Sequence, residues 1–128
     1  MILEGRIINK GDVEGKAIVT NQQIGFYGGV DPKTGVVIEE GHELKGQNIS
    51  GKILVFPNSK GSTVGSYVIY GLAKNKNAPL AIINAETETI VATGVILGDI
   101  ACIDKIDISK IKTGDNIKIR ENKIYVNE

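Results

Sequence analysis

The sequence predicts a single mixed α/β domain, with a parallel β-α-β-α-β centre flanked by antiparallel strands. Composition is one reason, because the apolar residues are mostly Ile, Val and Ala and sixteen glycines divide them into short segments, as strands and tight turns require. The middle of the chain is another, because short apolar runs alternate there with segments of helical spacing. With 128 residues, the chain is long enough for one domain over residues 1–128 with its own core.

The first third of the chain predicts short strands and turns. Residues 5–8 and 15–20 are predicted to be two strands joined by a turn at residues 11–12, since glycine followed by a polar residue favours a tight turn. The periodicity then fades, and a further strand is predicted at 36–38 after a turn at 33–35. A hairpin is therefore expected at the N-terminal end.

The central elements are predicted from the change in periodicity after residue 51. Nearly continuous apolar runs indicate strands covered on both faces, and apolar residues at helical spacing separate them. In order, we expect a strand at 52–56, a helix at 62–75, a strand at 80–84, a helix at 86–97 and a strand at 100–103. Glu86 and Glu88 are expected in the first turn of the second helix, where negative charge complements the helix dipole.

The C-terminal end predicts a second hairpin. Residues 116–120 and 123–126 alternate between apolar and polar side chains, with Glu121 and Asn122 between them. This alternation is typical of antiparallel strands with one exposed face.

Charge and cysteine content disfavour several classes of protein. Fifteen basic residues balance fifteen acidic ones, so nothing favours a nucleic-acid partner or an anionic membrane. The single Cys102 has no partner for an internal disulfide, which fits a reducing compartment, and its apolar strand predicts a core position. Residues 1–5 lack the apolar core of a signal peptide, and no apolar run approaches the length of a membrane span. We therefore expect a cytoplasmic protein.

Residues 57–66, Pro-Asn-Ser-Lys-Gly-Ser-Thr-Val-Gly-Ser, form the segment best suited to chemistry. They follow an apolar strand and open a predicted helix, at the edge where ligands bind in open α/β sheets. Free backbone N–H groups and the positive end of the helix dipole would hold a phosphate or carboxylate there. Ser62 or Thr63 is the expected N-cap. The alternative is that these hydroxyls only cap the helix while glycines make the turn; a Walker loop is absent.

For the other candidate residues a functional and a structural role both stay open. Lys60 either contacts substrate phosphate or carboxylate or is a solvated loop residue. Gly28 and Gly29 either allow close approach of a ligand or partner or only shape a turn. Asp31 either contributes to the site or caps its own turn, and for His42 a surface or structural role is predicted.

Four motifs in a fixed order and spacing carry a family resemblance. They are residues 28–32, residues 42–47, the strand that ends at Phe56, and residues 58–66. Together they resemble the small subunit of aconitase-X-type hydro-lyases, most closely the archaeal branch that acts on phosphomevalonate. The resemblance covers essentially the whole chain. It implies a swivelling β/β/α fold similar to the mobile fourth domain of aconitase, in agreement with the predicted order of elements.

The resemblance also implies a reaction and a partner. The partner is a large subunit that carries an iron-sulfur cluster, expected to be of the four-iron four-sulfur type, in a heterodimer. The substrate is (R)-5-phosphomevalonate, which loses water to give trans-anhydromevalonate 5-phosphate in a modified mevalonate route to isoprenoids. Ser62 matches the family's catalytic base. The expected substrate-binding residues are Asn58, Ser59, Lys60, Gly61, Thr63, Gly28, Gly29 and Asp31.

Elementary chemistry limits what this chain does alone. A single cysteine cannot hold a cluster that normally takes several thiolates, so no metal is expected in this chain. A serine hydroxyl ionises far above neutral pH, and a helix N-terminus stabilises an anion by about 2 kcal/mol at best, which is about one or two pKa units. Further positive charge is needed from Lys60, from an Arg or Lys of the partner, or from the cluster. We therefore expect the isolated chain to be inactive.

Three alternative functions stay open. One is the small subunit of a cis-3-hydroxyproline dehydratase, because the fold alone does not separate the two substrates, although a free-standing small subunit favours phosphomevalonate. A second is a swivelling phosphohistidine carrier, which needs a histidine at a glycine-rich helix start, whereas Ser62 occupies that place and His42 lies elsewhere. A third is a non-catalytic regulatory or scaffold module, which predicts that Ser62→Ala leaves the activity of the complex intact.

Overall fold

Eight β-strands form one mixed sheet in the computed structural model, which describes residues 1–128. The strands are β1 (Ile2–Glu4), β2 (Arg6–Asn9), β3 (Val13–Val19), β4 (Ile53–Phe56), β5 (Ala81–Asn84), β6 (Ala101–Asp104), β7 (Asn116–Arg120) and β8 (Lys123–Val126). The helices are α1 (Gly65–Lys74), α2 (Thr89–Gly98) and a short 3-10 helix (Ile108–Lys110). The order across the sheet is β1-β8-β7-β3-β4-β5-β6-β2.

β3 divides the sheet into two layers. Its first half, from Val13 to Lys16, pairs antiparallel with β7, and its second half, from Ala17 to Val19, pairs parallel with β4. β3, β4, β5 and β6 therefore run parallel, and β7 and β8 form the predicted C-terminal hairpin. The prediction of a parallel centre with antiparallel strands beside it is confirmed.

Two apolar cores lie on the two faces of the parallel strands. Alternate side chains such as Leu54, Ile82 and Cys102 face the helices and the long segment between β3 and β4, so the predicted core position of Cys102 is confirmed. Their neighbours, such as Ile53 and Ile83, face the β7–β8 hairpin. Every residue of β4, β5 and β6 is consequently buried, which explains their unbroken apolar sequences. Hairpin, parallel sheet and helices form a β/β/α arrangement.

α1 and α2 lie side by side on one face of the parallel strands. Glycines let them approach closely, because a Cβ built on Gly94 would lie 2.7 Å from Cβ of Ile69, and one built on Gly65 would lie 3.2 Å from Cγ2 of Ile90. Neither helix has the length and apolar content that a membrane span needs.

The predicted N-terminal hairpin is wrong. β2 pairs antiparallel with β6 and β1 pairs antiparallel with β8, so neither pairs with β3. The reason lies at Gly5, where the chain passes from one layer to the other. The Gly5 N–H donates to the carbonyl oxygen of Asn122 at 2.9 Å, and an added Cβ would lie 2.3 Å from the carbonyl oxygen of Asp104. The position of Gly5 is set by residues that are distant in the sequence, so a local sequence pattern does not predict this crossing.

The strand predicted at 36–38 is also wrong. The segment forms only isolated bridges, because Gly35, Gly41 and Gly46 have positive φ angles of 80°, 79° and 88° and turn the chain before a ladder can form. Val37 is nonetheless buried, so the apolar pattern indicated a core position rather than a strand.

α1 begins later than predicted. It starts at Gly65 with Val64 in the N-cap position and no side-chain cap, so the expectation that Ser62 or Thr63 is the N-cap is wrong. The backbone N–H of Gly65 donates to the carbonyl oxygen of Ser62 at 2.9 Å. Residues 62–65 therefore form a separate turn before the helix.

α2 also begins later than predicted. It starts at Thr89 with Glu88 in the N-cap position, and no acidic residue lies in its first turn. Glu86 instead pairs with Lys105 on the surface, at 2.5 Å. The N–H of Thr87 donates to the buried carboxylate of Asp104 at 2.8 Å. This hydrogen bond holds the segment against β6, and the helix begins only after it.

Candidate active site

The carboxyl ends of β3, β4, β5 and β6 meet at one edge of the sheet, where open α/β folds bind ligands. The loop after β4, residues 57–64, lies between the loops after β3 and β5. The carbonyl oxygen of Pro57 accepts two hydrogen bonds from the loop after β5, at 3.1 and 3.2 Å, and the N–H of Lys60 donates to Ile24 at 3.1 Å. The first half of the loop is thus fixed on both sides, while residues 61–64 are exposed.

Ser62, the predicted base, lies in this exposed half. Its Oγ accepts a hydrogen bond from the N–H of Val64 at 3.2 Å, and its hydroxyl donates to no acceptor of the chain. The turn before it is made by Gly61, whose φ is 87°. The N–H groups of Gly61, Ser62 and Thr63 also donate to no acceptor of the chain. Three free donors beside an exposed hydroxyl can bind an anionic oxygen.

Lys60 provides a positive charge next to this turn, but that charge is already paired. Its Nζ lies 2.7 Å from Oε2 of Glu39, and Oε1 of Glu39 accepts the N–H of Gly25 at 3.3 Å. Burial alone would raise the pKa of Glu39, but the hydrogen bonds from Lys60 and Gly25 outweigh it and hold this pKa below its ordinary value. Glu39 is therefore ionised near neutral pH and offsets part of the charge that Lys60 would offer a ligand.

A cleft of about 450 Å³ opens beside this ion pair. Its volume lies within the range of about 300–1,000 Å³ that is usual for small-molecule sites. No apolar residue lines it; the lining residues are Asn21, Gln22, Gln23, Glu39, Glu40, Gly41, His42 and Lys60. The cleft therefore suits a polar ligand.

His42 has a structural role at the back of this cleft. The ring is buried, and its Nδ1 accepts the N–H of Leu44 at 3.0 Å. Since Nδ1 is an acceptor, the proton of the neutral ring lies on Nε2, which donates to the carbonyl oxygen of Gln23 at 3.1 Å. Both ring nitrogens are thus occupied in joining two loops.

The side chains of Asn58 and Ser59 have partners within the protein. Oδ1 of Asn58 accepts a hydrogen bond from Gln23 at 2.6 Å. Ser59 is buried, and its hydroxyl donates to Oε1 of Glu88 at 3.4 Å. Their predicted contact with substrate remains a prediction, and the present geometry gives both a role in shaping the loop.

Gly28 and Gly29 lie at the same end of α1 as the serine turn, because a Cβ on Gly65 would lie 3.6 Å from the backbone nitrogen of Tyr27. Gly28 has a φ of 79° and open space around its Cα. A Cβ on Gly29 would lie 1.9 Å from the carbonyl oxygen of Gly25. Backbone geometry is therefore sufficient to explain Gly29, whereas a ligand has room to approach Gly28.

Asp31 lies away from the serine turn. Its Oδ1 accepts the N–H of Lys33 at 2.9 Å, so it caps its own turn. The following Pro32 accepts a hydrogen bond from Asn75, at the end of α1, at 2.9 Å. Because α1 has ten residues and is about 15 Å long, Asp31 and Ser62 lie near opposite ends of this helix.

Sequence reasoning gave no role at this edge to three carboxylates: Glu39, Glu88 and Asp104. Asp104 is buried and accepts two hydrogen bonds from Arg6, at 2.9 and 2.8 Å. A carboxylate that ends an otherwise apolar strand is a signal that would have identified Asp104. Glu39 and Glu88 carry no such signal, because their partners are distant in the sequence.

The residues of this chain do not fit an iron-sulfur cluster. Cys102 is buried, and burial raises the pKa of its thiol to about 12, whereas clusters are held by thiolates. No group of three or more His, Cys, Asp or Glu side chains is arranged to hold a metal ion.

This fold and its exposed serine turn define a class of protein, the swivelling β/β/α domain. The family model of the aconitase X swivel domain matches residues 2–127. The chain therefore belongs to the aconitase X swivel domain family, which confirms the fold and the family predicted from the four motifs.

Relatives with curated names are similar over nearly their whole length. The phosphomevalonate dehydratase small subunit of Thermococcus kodakarensis is 56% identical, over 93% of this chain and 90% of the relative. That of Methanosarcina acetivorans is 50% identical, over 97% of this chain and 88% of the relative. The crystal structure of Thermococcus kodakaraensis aconitase X in its holo-form matches with a TM-score of 0.98 and 51% identity, covering 100% of this chain and 99% of that chain.

Proposed function

We propose that this chain is the small subunit of a phosphomevalonate dehydratase, which removes water from (R)-5-phosphomevalonate to give trans-anhydromevalonate 5-phosphate. The observation that carries the proposal is an exposed serine turn in a chain that is 56% and 50% identical to two small subunits of that name. The free N–H groups beside Ser62 and the polar cleft beside Lys60 suit a hydroxylated, phosphorylated acid.

In this proposal Ser62 is the base. Loss of water requires a group that takes a carbon-bound proton while the hydroxyl on the neighbouring carbon departs. Ser62 Oγ takes that proton, the electron pair of the C–H bond forms the new double bond, and the hydroxyl leaves with its own bonding pair; the Lewis acid that would accept it is not supplied by this chain. The free N–H groups of Gly61 and Thr63 orient an anionic group of the substrate against the serine.

Ser62 needs stabilisation that this chain does not supply. The start of α1 stabilises an anion by about 2 kcal/mol at best, which is too little to ionise a serine at neutral pH, and Lys60 is paired with Glu39. We assign the remaining positive charge to a larger partner subunit, which also carries the iron-sulfur cluster. The chain is accordingly active only in the cytoplasmic heterodimer.

Anaerobic co-expression with the large subunit, followed by turnover of phosphomevalonate, tests the proposal. Mass spectrometry is expected to show a product that has lost one water. Ser62→Ala is expected to lower kcat by about 10²–10⁴-fold, the range for a lost general base. Ser50→Ala is the matched control, because Ser50 precedes β4 at the opposite edge of the sheet; its complex is expected to retain wild-type turnover.

Three results would change the assignment. Unchanged turnover by the Ser62→Ala complex would remove the base and favour a regulatory module. Turnover of cis-3-hydroxyproline without turnover of phosphomevalonate would replace the substrate. Turnover by this chain alone would remove the need for the partner.

A further inference from the structure

The helical layer carries almost no charge. The chain has fifteen basic and fifteen acidic residues, yet Lys74 is the only charged residue in α1 and α2 has none. A helix that faces water normally presents polar and charged residues on its outer side. Permanent exposure to solvent therefore does not explain the composition of this layer.

Large apolar and aromatic side chains are exposed on the same layer. On α1, Tyr67 is 68% exposed and Tyr70 is 37% exposed; on α2, Ile96 is 59% exposed and Leu97 is 52% exposed. Val64, 44% exposed, extends the α1 row to the serine turn, since residues three apart lie on one side of a helix. We call these five residues the helix face.

We infer that the helix face is a docking surface for the larger partner subunit. The inference rests on the proposed function, because a base that works only in a heterodimer must lie where the two chains meet. The helix face begins two residues after Ser62 and so continues directly from that boundary. The helix face consists of tyrosines and aliphatic residues, with Lys60 and Lys74 at its two ends. This composition has the aromatic enrichment and charge depletion found at the centre of interfaces.

The helix face is small for an interface, so a partner must also cover neighbouring surface. Each helix has ten residues and is about 15 Å long, and two such helices side by side are about 20 Å wide. The resulting area of about 300 Å² is well below the roughly 800 Å² per partner that a stable complex buries. The helix face alone is therefore too small for a stable complex, and the larger subunit, which the proposed function places against the adjacent Ser62 edge, would cover both.

Binding of full-length variants to the purified large subunit tests the inference. Tyr67→Glu and Leu97→Glu place a charge on the helix face without touching the core, because both side chains are more than half exposed. We expect each substitution to weaken Kd by about 10-fold or more. Ile2→Glu is the matched control, because Ile2 has the same 52% exposure as Leu97 but lies on β1; its Kd is expected to be unchanged.

Circular dichroism and the Tm of each free variant verify that it is folded. If the Tm of a charged variant falls, Tyr67→Ser is measured in its place, because it removes the tyrosine ring without adding charge. Unchanged Kd for all helix-face variants would overturn the docking surface. Normal binding of the wild-type chain without turnover of phosphomevalonate would instead overturn the proposed function. A dimer of the chain alone in sedimentation equilibrium, lost in the same variants, would overturn the inference in favour of a second copy.

Discussion

Glu39 and Lys60 form an ion pair at the carboxyl edge of the sheet, with Oε2 and Nζ 2.7 Å apart. Glu39 also accepts the N–H of Gly25, so it joins the loop after β3 to the loop after β4. Lys60 immediately precedes the turn that carries Ser62. The ion pair therefore fixes the point from which the serine turn starts.

Glu39→Gln is expected to impair the assembled enzyme more than it destabilises the chain. The amide keeps the shape of Glu39 but loses the charge that holds Lys60, so the serine turn loses its fixed start. We expect kcat to fall about 10- to 100-fold, because small displacements of a catalytic group are costly. The free energy of unfolding should fall by about 1 kcal/mol, since Lys60 is half exposed and water screens the pair. Steady-state kinetics of the complex and urea unfolding measure the two effects.

Glu40→Gln is the matched control. Glu40 is the neighbouring residue and also pairs with a lysine, Lys45 at 2.6 Å, but its side chain is 86% exposed. An exposed pair contributes little, so the free energy of unfolding of Glu40→Gln should stay at the wild-type value, and this variant controls the stability measurement. Higher activity in Glu39→Gln would contradict the positioning role and show that Glu39 withholds Lys60 from the substrate.

Arg6→Gln is expected to destabilise the chain at neutral pH and less in acid. Burial alone would raise the pKa of Asp104, but hydrogen bonds from Arg6 and the Thr87 N–H outweigh it and hold this pKa below its ordinary value. A carboxyl with a lowered folded-state pKa stabilises the fold above its unfolded pKa of about 3.9, and this contribution is lost as pH falls toward the folded pKa. We expect a lower free energy of unfolding than that of wild type at pH 7, because the buried Asp104 carboxylate loses both hydrogen bonds from Arg6. Urea unfolding at a series of pH values measures it.

Lys45→Ala serves as the control for this series. Lys45 pairs with Glu40 at 2.6 Å, but the two side chains are 47% and 86% exposed, and such pairs contribute little. Its stability should match wild type throughout. If the deficit of Arg6→Gln stayed constant below pH 4, the charge of Asp104 would not be its cause.

The central fold was predictable because its signals are local. Each parallel strand is an unbroken apolar run, as in Ile53–Phe56, and each helix has its own periodicity. The pairing of the N-terminal strands was not predictable, because Gly5 owes its position to Asn122 and Asp104, which lie more than ninety positions away. The predicted first residues of both helices were wrong for a related reason. A hydroxyl or carboxyl group near a helix start suggests capping, but the Glu88 side chain instead accepts a hydrogen bond from Ser59, which is distant in the sequence.

The candidate site was predictable to the same extent. A hydroxyl-rich loop after a buried strand is a local signal, and it predicts the exposed turn at Ser62. The pairing of Lys60 with Glu39 was not predictable, because Glu39 lies in a segment without periodicity and its partner is in another loop. The motif at residues 28–32 places Asp31 among the expected substrate-binding residues, but a sequence motif contains no information on the length of α1 that separates Asp31 from Ser62.

Cys102 is expected to be unreactive in the folded chain. Burial raises the pKa of its thiol to about 12, so at pH 8 about one thiol in 10⁴ is ionised, and the thiolate is the reactive form. Iodoacetamide at pH 8 should leave the native chain unmodified and label it fully in denaturant. Mass spectrometry of intact protein reads out both states. Rapid labelling of the native chain would contradict the core position of Cys102 and the conclusion that Cys102 is not a cluster ligand.

Gly94→Ala and Gly71→Ala are expected to change stability in opposite directions. Both glycines lie inside helices, where alanine is intrinsically preferred by about 1 kcal/mol. A Cβ on Gly71 would meet Pro32 at an ordinary 3.4 Å, so Gly71→Ala should stabilise the chain by about 0.5–1 kcal/mol.

A Cβ on Gly94 would lie 2.7 to 3.0 Å from three side-chain atoms of Ile69, so Gly94→Ala should cost about 1–3 kcal/mol. Because Ile69 lies on α1, relief of this overlap displaces the helix whose start follows Ser62, and kcat of the complex should fall together with stability. Urea unfolding and turnover of the two variants side by side measure both effects. If both variants were stabilised and fully active, α2 would not be what holds α1 and the serine turn in place.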